Sequence, residues 1–337
     1  MIRQPKAFHI ENLLSKKRSV VLFIILSAVF RFSCVAQASS NPILPNADPF
    51  ITLNPVQGKF LLLATTGRNI TIWSGPTVQT AAAHEKVVFS PTDGLTQLWS
   101  PTIWKIGGNW WIYFTAREPG KKHAIYVLES ETSDPFSSYT FRGALDLGRP
   151  AIDPSLLTVK NVNYLMYVTV DGGQNAINMV RLASPMEPVG EKALITEPTY
   201  PWEKGAGSIK NYPVSEGPTA LYHKGHTFIV YSGSDTASPV YCLGLLTFKG
   251  GDPLDKGNWD KTPHPVFEAL PANGIYGPGR GTFAHAQDGS DWLLYAAKNT
   301  DTPTASQRQT RAQPFTWNND ATPNFGVPLR DGEIQMH

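Results

Sequence analysis

The sequence has little cysteine. Only Cys34 and Cys242 occur among the 337 residues, and Cys34 lies in a segment that we expect to be removed from the mature protein. A single remaining cysteine excludes an intrachain disulfide, so packing must hold the mature domain together. Cys242 stands in an apolar stretch, which indicates a buried, inert thiol rather than a nucleophile.

Charge is also sparse. Charged residues make up 17% of the chain and hydrophobic residues 41%, which excludes a disordered chain and provides enough apolar material for a sizeable core. Six basic residues and one acidic residue lie within residues 1–38. Without that segment the formal net charge changes from +2 to −3, so nothing electrostatic favours a nucleic-acid partner.

The apolar run of residues 19–30 is too short for a membrane span, which needs about 20 residues. It has twelve residues and follows the basic stretch Lys16-Lys17-Arg18. Ala36-Gln37-Ala38 then offers a small-x-small cleavage site, so residues 1–38 are predicted to be a secretory signal peptide. An uncleaved anchor is the alternative. We expect a secreted protein, extracellular or periplasmic, that is free of the membrane after cleavage.

Several motifs of known catalytic and cofactor sites are absent. The chain has no His-Glu-x-x-His or Cys-x-x-Cys pattern, no Gly-x-Ser-x-Gly elbow, no phosphate loop and no dinucleotide fingerprint. Long alternating helical and strand patterns are also missing, which argues against an α/β barrel or a doubly wound sheet. We therefore expect no cofactor.

Turn residues and aromatics, by contrast, are abundant. The chain has 28 Gly, 28 Pro, 9 Trp and 12 Tyr, a mixture that favours many short strands. A turn followed by an aromatic-rich strand recurs five times, with steps of 50, 54, 63 and 65 residues between the marker positions Phe60, Trp110, Tyr164, Thr227 and Trp292. Such a unit holds about four strands, the size of one propeller blade. We predict an all-β, five-bladed β-propeller over residues 39–337. A two-sheet β-sandwich, the alternative, does not explain the repeat.

Three of the five repeats carry an acid ahead of the marker strand. Asp48 precedes its marker by twelve residues, and Asp153 and Glu216 precede theirs by eleven. Because the innermost strand of each propeller blade lines the central channel, we predict that the three acids share one structural position and converge there. Converging carboxylates push their pKa values apart, so that one serves as a base while another keeps its proton. The alternative is that Asp-Pro and Glu-Gly-Pro only form turns between strands.

These stretches resemble glycoside hydrolase family 43. The similarity covers essentially the whole mature chain and rests on the acid motifs and several aromatic segments, in residues 41–50, 99–104, 107–114, 152–155, 216–218, 222–231 and 311–317. It implies a five-bladed propeller that hydrolyses arabinose- or xylose-containing glycans with inversion. It also implies that Asp48 is the general base, that Glu216 is the general acid, and that Asp153 tunes the pKa of Glu216 and orients it.

Within the family, residues 41–44 and 243–247 look more like the α-L-arabinofuranosidase branch. The resemblance therefore implies release of arabinofuranosyl units from plant arabinan or arabinoxylan by a protein that we expect to be a monomer. A β-xylosidase or an endo-arabinanase of the same family is one alternative. A catalytically silent glycan-binding propeller is another.

The chain departs from the family pattern at Thr102, where many members have an acid, and at Arg280, where many have a histidine that helps to hold an ion or water in the channel. We therefore expect no bound metal. Arg280 is predicted to fill that space, where it would donate to a sugar hydroxyl or depress the pKa of an acid. Trp73 and Trp99 are predicted to contact the sugar, with core packing as the alternative for each.

Overall fold

The computed structural model describes residues 40–92, 94–170, 172–205 and 212–334. The predicted signal peptide lies outside the described residues. In the described ranges, no helix combines the length and apolarity needed to cross a membrane. Three 3-10 helices occur there, Pro201–Glu203, Lys256–Asn258 and Pro271–Asn273, and strands dominate the rest.

Strand β1 (Ser40–Asn41) precedes five antiparallel sheets of four strands, which follow one another along the chain. The first sheet is β2 (Phe50–Ile51), β3 (Phe60–Leu63), β4 (Ile70–Gly75) and β5 (His84–Phe89), and the second is β6 (Thr96–Ile106), β7 (Asn109–Arg117), β8 (Ala124–Ser130) and β9 (Tyr139–Ala144). The third is β10 (Ala151–Val159), β11 (Val162–Thr169), β12 (Ala176–Ser184) and β13 (Glu187–Thr196), and the fourth is β14 (Ser215–His223), β15 (His226–Gly233), β16 (Cys242–Phe248) and β17 (Trp259–Lys261). The fifth is β18 (Tyr276–His285), β19 (Asp291–Lys298), β20 (Gln309–Trp317) and β21 (Pro323–Asn324).

This arrangement is a five-bladed β-propeller, so the predicted fold is confirmed. All five marker residues of the sequence repeat lie in the second strand of a blade. The repeat length was therefore a correct guide to the number of blades, and the expected free thiol, Cys242, is buried in the fourth blade.

Side chains along a strand alternate between the two neighbouring blades. In β7, Trp110, Ile112 and Phe114 pack into a core shared with the first blade, whereas Tyr113 packs into a core shared with the third. Because strand side chains point alternately to opposite faces, a blade inside a ring needs apolar residues on both faces. This requirement accounts for the unbroken aromatic and aliphatic runs of the second strands.

Every pair of neighbouring blades shares an apolar cluster. The five clusters join blades one and two, two and three, three and four, four and five, and five and one. The last cluster closes the ring, since it brings Leu62 and Trp73 of the first blade against Trp292 and Leu294 of the fifth. Burial of this apolar surface is the main favourable contribution to the stability of the fold.

The ends of the described chain also meet on the fifth blade. Strand β1 pairs with β22 (Gly332–Glu333). The side chain of Asn41 forms two hydrogen bonds with the backbone of Ala312 in β20, one donated at 2.9 Å and one accepted at 2.8 Å. The backbone N–H of Ile43 donates to the carbonyl of Thr310. The segment leading to the first blade is thus fixed against the last one.

Candidate active site

A pocket of about 530 Å³ opens where the innermost strands of the blades begin. All five blades contribute to it, and the loop after β19 forms part of its wall. Its lining residues are Pro45, Asn46, Ala47, Asp48, Thr65, Trp99, Ser100, Ile152, Asp153, Glu216, Thr236, Arg280, Ala305, Ser306, Gln307 and Arg308. The three predicted acids therefore face one pocket.

A bulge at the start of the inner strands determines how these side chains are aimed. In blades two to five the pairing with the second strand skips two residues, for example between Ile152 and Ser155 in β10 and between Glu216 and Thr219 in β14. The first skipped residue has a positive φ, 56° at Asp153 and 59° at Gly217. Bulges of this kind commonly redirect a side chain toward a functional site.

The bulge corrects one detail of the sequence analysis. Asp48, with φ 56°, matches Asp153, but the matching position of the fourth blade is Gly217 and Glu216 lies one residue earlier. The acids therefore occupy two adjacent positions of the repeat rather than one. Gly217 adopts the left-handed conformation more readily than an acid would, and the shift carries the longer Glu216 side chain to the pocket from the preceding position.

Asp48 is buried and held among cations. Its Oδ1 atom lies 2.5 Å from Nη1 of Arg308 and 3.9 Å from Nε of Arg280, and its Oδ2 atom accepts a 2.8 Å hydrogen bond from Thr65. Burial alone would raise the pKa of Asp48, but the two guanidinium groups and these hydrogen bonds bring it below the usual value. The group is thus a carboxylate at neutral pH.

Glu216 is equally buried, yet its environment acts in the opposite direction. Burial, reinforced by the negative charge of Asp153, raises the pKa of Glu216 to about 8. Hydrogen bonds from Tyr241 to Oε1 (2.9 Å) and from Asn175 to Oε2 (2.7 Å) lower the pKa only in part, as does the charge of Arg280. Glu216 therefore keeps its proton at neutral pH.

Asp153 connects the second, third and fourth blades. Its Oδ1 atom accepts a hydrogen bond from Ser100 at 2.7 Å, and its Oδ2 atom accepts one from the backbone N–H of Gly217 at 3.1 Å. Its own backbone N–H donates to Thr115. The carboxylate is therefore fixed beside the residue that follows Glu216.

Arg280 lies between the carboxylates, with Nη1 3.3 Å from Oδ2 of Asp153 and Nε near Asp48. The guanidinium packs over Gly217, where an added Cβ would come within 2.4 Å of Cδ of Arg280. Arg280 thus lies in the pocket lining as a fixed cation. A metal ion at this place would be repelled by that charge, and the described residues contain no cluster of three His, Cys, Asp or Glu suited to bind one.

The two tryptophans predicted to contact sugar lie in different places. Trp99 lines the pocket, half-buried, with its ring 4.5 Å from that of His123. Trp73 does not line it: its side chain is buried in the core between blades one and five, and its indole N–H donates to Glu85. The sugar-contact prediction for Trp73 is therefore wrong, because this residue pairs with Leu62 within the sheet, away from the channel.

Besides Thr65 and Ser100, which donate to Asp48 and Asp153, sequence reasoning missed three further polar residues that contact the acids. Asn175 and Tyr241 donate to Glu216, and Arg308 binds Asp48. All three lie outside the strands, next to or within connecting loops. No spacing pattern singles them out, because a loop reaches the pocket through tertiary packing rather than through a periodic position.

The arrangement combines a carboxylate that stays ionised and a carboxyl that stays protonated in one pocket. Such opposed pKa values within a single site are the usual condition for paired base and acid catalysis. Asp153 adds a third charge, which supports the protonated state of Glu216 without direct hydrogen bonding to it.

Comparison with known proteins gives a consistent result. The sequence model of Glycosyl hydrolases family 43 matches residues 39–323. An "Extracellular exo-alpha-(1->5)-L-arabinofuranosidase" of Streptomyces avermitilis is 35% identical over 250 residues, which are 70% of this chain and 51% of that protein. "Alpha-L-arabinofuranosidase 43" of Humicola insolens is 29% identical over 342 residues, covering 94% of this chain and 69% of that protein.

Among solved structures, an alpha-L-arabinofuranosidase from Lactobacillus brevis superimposes with a TM-score of 0.80 at 29% identity. The superposition covers 88% of this chain and 99% of that one. The chain spans about half the length of the Streptomyces avermitilis protein that it matches.

Proposed function

Because this chain belongs to glycosyl hydrolase family 43, we propose that it hydrolyses glycosidic bonds with inversion and releases α-L-arabinofuranosyl units from arabinan or arabinoxylan. The observation that carries the proposal is the pair of opposed carboxyls, Asp48 held ionised and Glu216 held protonated at one pocket. The names of the Streptomyces avermitilis, Humicola insolens and Lactobacillus brevis proteins support arabinose as the sugar.

In the proposed mechanism Asp48 is the general base. Its carboxylate takes a proton from a water molecule, whose oxygen bonds to the anomeric carbon of the sugar. The bond from that carbon to the leaving oxygen breaks, and this oxygen takes the proton of Glu216, the general acid. Attack on the face opposite the leaving group inverts the configuration, and water then restores the two carboxyls to their starting states.

The neighbouring residues have supporting roles in this mechanism. Asp153 keeps the pKa of Glu216 high through its negative charge. Arg280 joins Asp48 and Asp153, and because it lines the same pocket its proposed role includes donating to a sugar hydroxyl. Trp99 offers an aromatic face on which the apolar side of a sugar ring can pack.

The proposed place of action is outside the cytoplasm, as a monomer. Residues 1–38 carry the features of a signal peptide. The Streptomyces avermitilis and Streptomyces chartreusis relatives are both named extracellular, and polymeric arabinan does not cross a membrane unaided.

A substrate panel tests the function. We expect release of 4-nitrophenol from its α-L-arabinofuranoside and of free arabinose from linear arabinan. Preference for the β-D-xylopyranoside would favour a β-xylosidase, and oligosaccharides without free arabinose would favour an endo-arabinanase. Binding of arabinan without release of any sugar, across a pH series, would favour a silent glycan-binding propeller.

A matched pair of variants tests whether Glu216 is required for hydrolysis. Glu216→Gln keeps the size of the side chain but removes the transferable proton, so hydrolysis of arabinan should fall by about 10²- to 10⁴-fold. Glu129→Gln changes a carboxylate on β8 that pairs with Arg142 at the surface and should leave the rate unchanged. Equal activity in both variants would refute the assignment of Glu216.

A further inference from the structure

Lys298, at the end of β19, is a buried cation that the proposed reaction does not use. Its side chain is inaccessible to solvent. Its Nζ atom donates to three backbone carbonyls, those of Ala237 (2.9 Å), Ser238 (3.2 Å) and Thr304 (3.2 Å). An ammonium group has three N–H donors, so these carbonyls use its full capacity.

The three carbonyls belong to two loops that reach the pocket. The first loop, residues 234–241, follows β15, places Thr236 in the pocket wall and ends at Tyr241, which donates to Glu216. The second loop, residues 299–308, follows β19 and ends at Arg308, which binds Asp48. The partners of both catalytic carboxyls therefore stand on loops that meet at one ammonium group.

Other contacts join the same two loops but do not replace Lys298. The backbone N–H of Thr304 donates to the carbonyl of Ala237, so this oxygen accepts from the second loop as well as from Lys298. Gly277 packs closely against the junction, where an added Cβ would come within 2.7 Å of the carbonyl oxygen of Ser238. Ser238 and Lys298 are both buried at this junction, and a buried carbonyl that loses its donor is costly there.

We propose that Lys298 is a positioning residue that fastens the 234–241 loop to the 299–308 loop and thereby holds Tyr241 on Glu216 and Arg308 on Asp48. The inference rests on the proposed function for its catalytic consequence, although the fastening itself is independent of the substrate.

The fastening depends on the charge of Lys298. Burial, together with the positive charge of Arg308, lowers the pKa of Lys298 to about 8, although Asp235 acts in the opposite direction. Tyr276 pairs with Lys298 between β18 and β19. Burial raises the pKa of Tyr241 well above its usual value, so Tyr241 stays neutral in this range. The cation is therefore present below about pH 8 and lost above it, and the neutral amine keeps only two N–H donors for three carbonyls.

Hydrogen exchange measured by mass spectrometry on the full mature chain tests the fastening without any sugar. In the wild type, the 299–308 segment should exchange about fivefold faster at pH 9 than at pH 7 after correction for the intrinsic rate, the factor that corresponds to one lost hydrogen bond. The 286–290 turn in the same blade serves as the internal reference and should show no change. Equal exchange of the 299–308 segment at both pH values would overturn the proposal, and this arm requires no variant.

Two variants extend the test. Lys298→Met keeps the aliphatic length but has no donor, so the 299–308 segment should already exchange fast at pH 7, by about tenfold, with no further pH response. Lys105→Met, a change on the second blade outside the pocket lining, should behave as the wild type. Slow exchange of the segment in a folded Lys298→Met variant would overturn the proposal.

Kinetics then test the consequence for the site. With 4-nitrophenyl α-L-arabinofuranoside, Lys298→Met should raise KM several-fold at pH 7. The acidic limb of the kcat/KM profile should also move to higher pH, because Arg308 no longer holds Asp48 firmly. An unchanged acidic limb and KM would overturn the positioning role. If the wild type hydrolyses no glycoside, the proposed function fails, whereas the exchange experiment still decides whether Lys298 fastens the loops.

Discussion

The Oδ2 atom of Asp153 accepts a 3.1 Å hydrogen bond from the backbone N–H of Gly217. This bond joins the third blade to the fourth at the residue next to Glu216. A negative charge is thus held at a fixed place beside a buried carboxyl, and the result is a pKa of about 8 for Glu216. The opposed protonation states of Asp48 and Glu216 follow from their burial and from the charges beside them, not from the acids alone.

The alkaline limb of the pH profile of kcat/KM should reflect the ionisation of Glu216. Because its pKa is raised to about 8, the carboxyl is protonated below that pH, and kcat/KM should fall tenfold per unit as the pH rises above it. Tyr241→Phe removes a hydrogen bond that favours the ionised form, so the limb should move to higher pH. A fall beginning near pH 5 would contradict the assignment of Glu216 as the acid.

The acidic limb of the same profile should reflect the ionisation of Asp48 and should shift when the charge of Arg308 is removed. The cation lowers the pKa of Asp48, so Arg308→Met should raise that pKa and move the acidic limb of the kcat/KM profile to higher pH. Arg142→Met removes the cation of a surface Arg–Glu pair and is the control. Identical acidic limbs in the two variants would show that Arg308 does not act on the base.

Gly217 should tolerate no side chain. A Cβ there would stand 2.4 Å from Cδ and 2.6 Å from Nη1 of Arg280, so Gly217→Ala should displace Arg280 and reduce kcat/KM by about 10²-fold or more. Gly225→Ala is the matched control, because Gly225 also has a positive φ but has open space around it. It should cost about 1 kcal/mol of unfolding free energy and leave kcat/KM intact.

Activity should survive treatment with EDTA. Arg280 provides the positive charge at the centre of the site through its contacts with Asp48 and Asp153, so a metal cation is not needed to balance those carboxylates. The measurement is the rate on an aryl arabinofuranoside before and after chelation, with metal content determined in parallel. A large loss that is restored by a divalent cation would overturn this expectation.

The sequence was sufficient to predict the propeller because each blade repeats one physical requirement. A strand with apolar side chains on both faces, such as β7, must recur in every blade, and the recurrence is visible as spacing. The three acids were likewise recognisable, because Asp-Pro and Glu-Gly-Pro accompany a bulge at the start of an inner strand.

Other features depend on tertiary structure alone. The one-residue offset of Glu216 follows from Gly217 in the left-handed conformation, and residue spacing to a distant marker does not determine φ. Arg308 and Asn175 reach the acids from loops, which have no periodicity. The Trp73 prediction was wrong because proximity in sequence to a catalytic strand does not tell which neighbour a side chain packs against.

The stereochemistry of the first product tests the central claim most directly. Proton NMR recorded during hydrolysis of an α-L-arabinofuranoside, before the free sugar mutarotates, identifies the anomer released. A water activated by Asp48 and a proton supplied by Glu216 predict the β-anomer as the initial product. Initial release of the α-anomer would mean that the configuration is retained and would contradict the assignment of Asp48 as a general base.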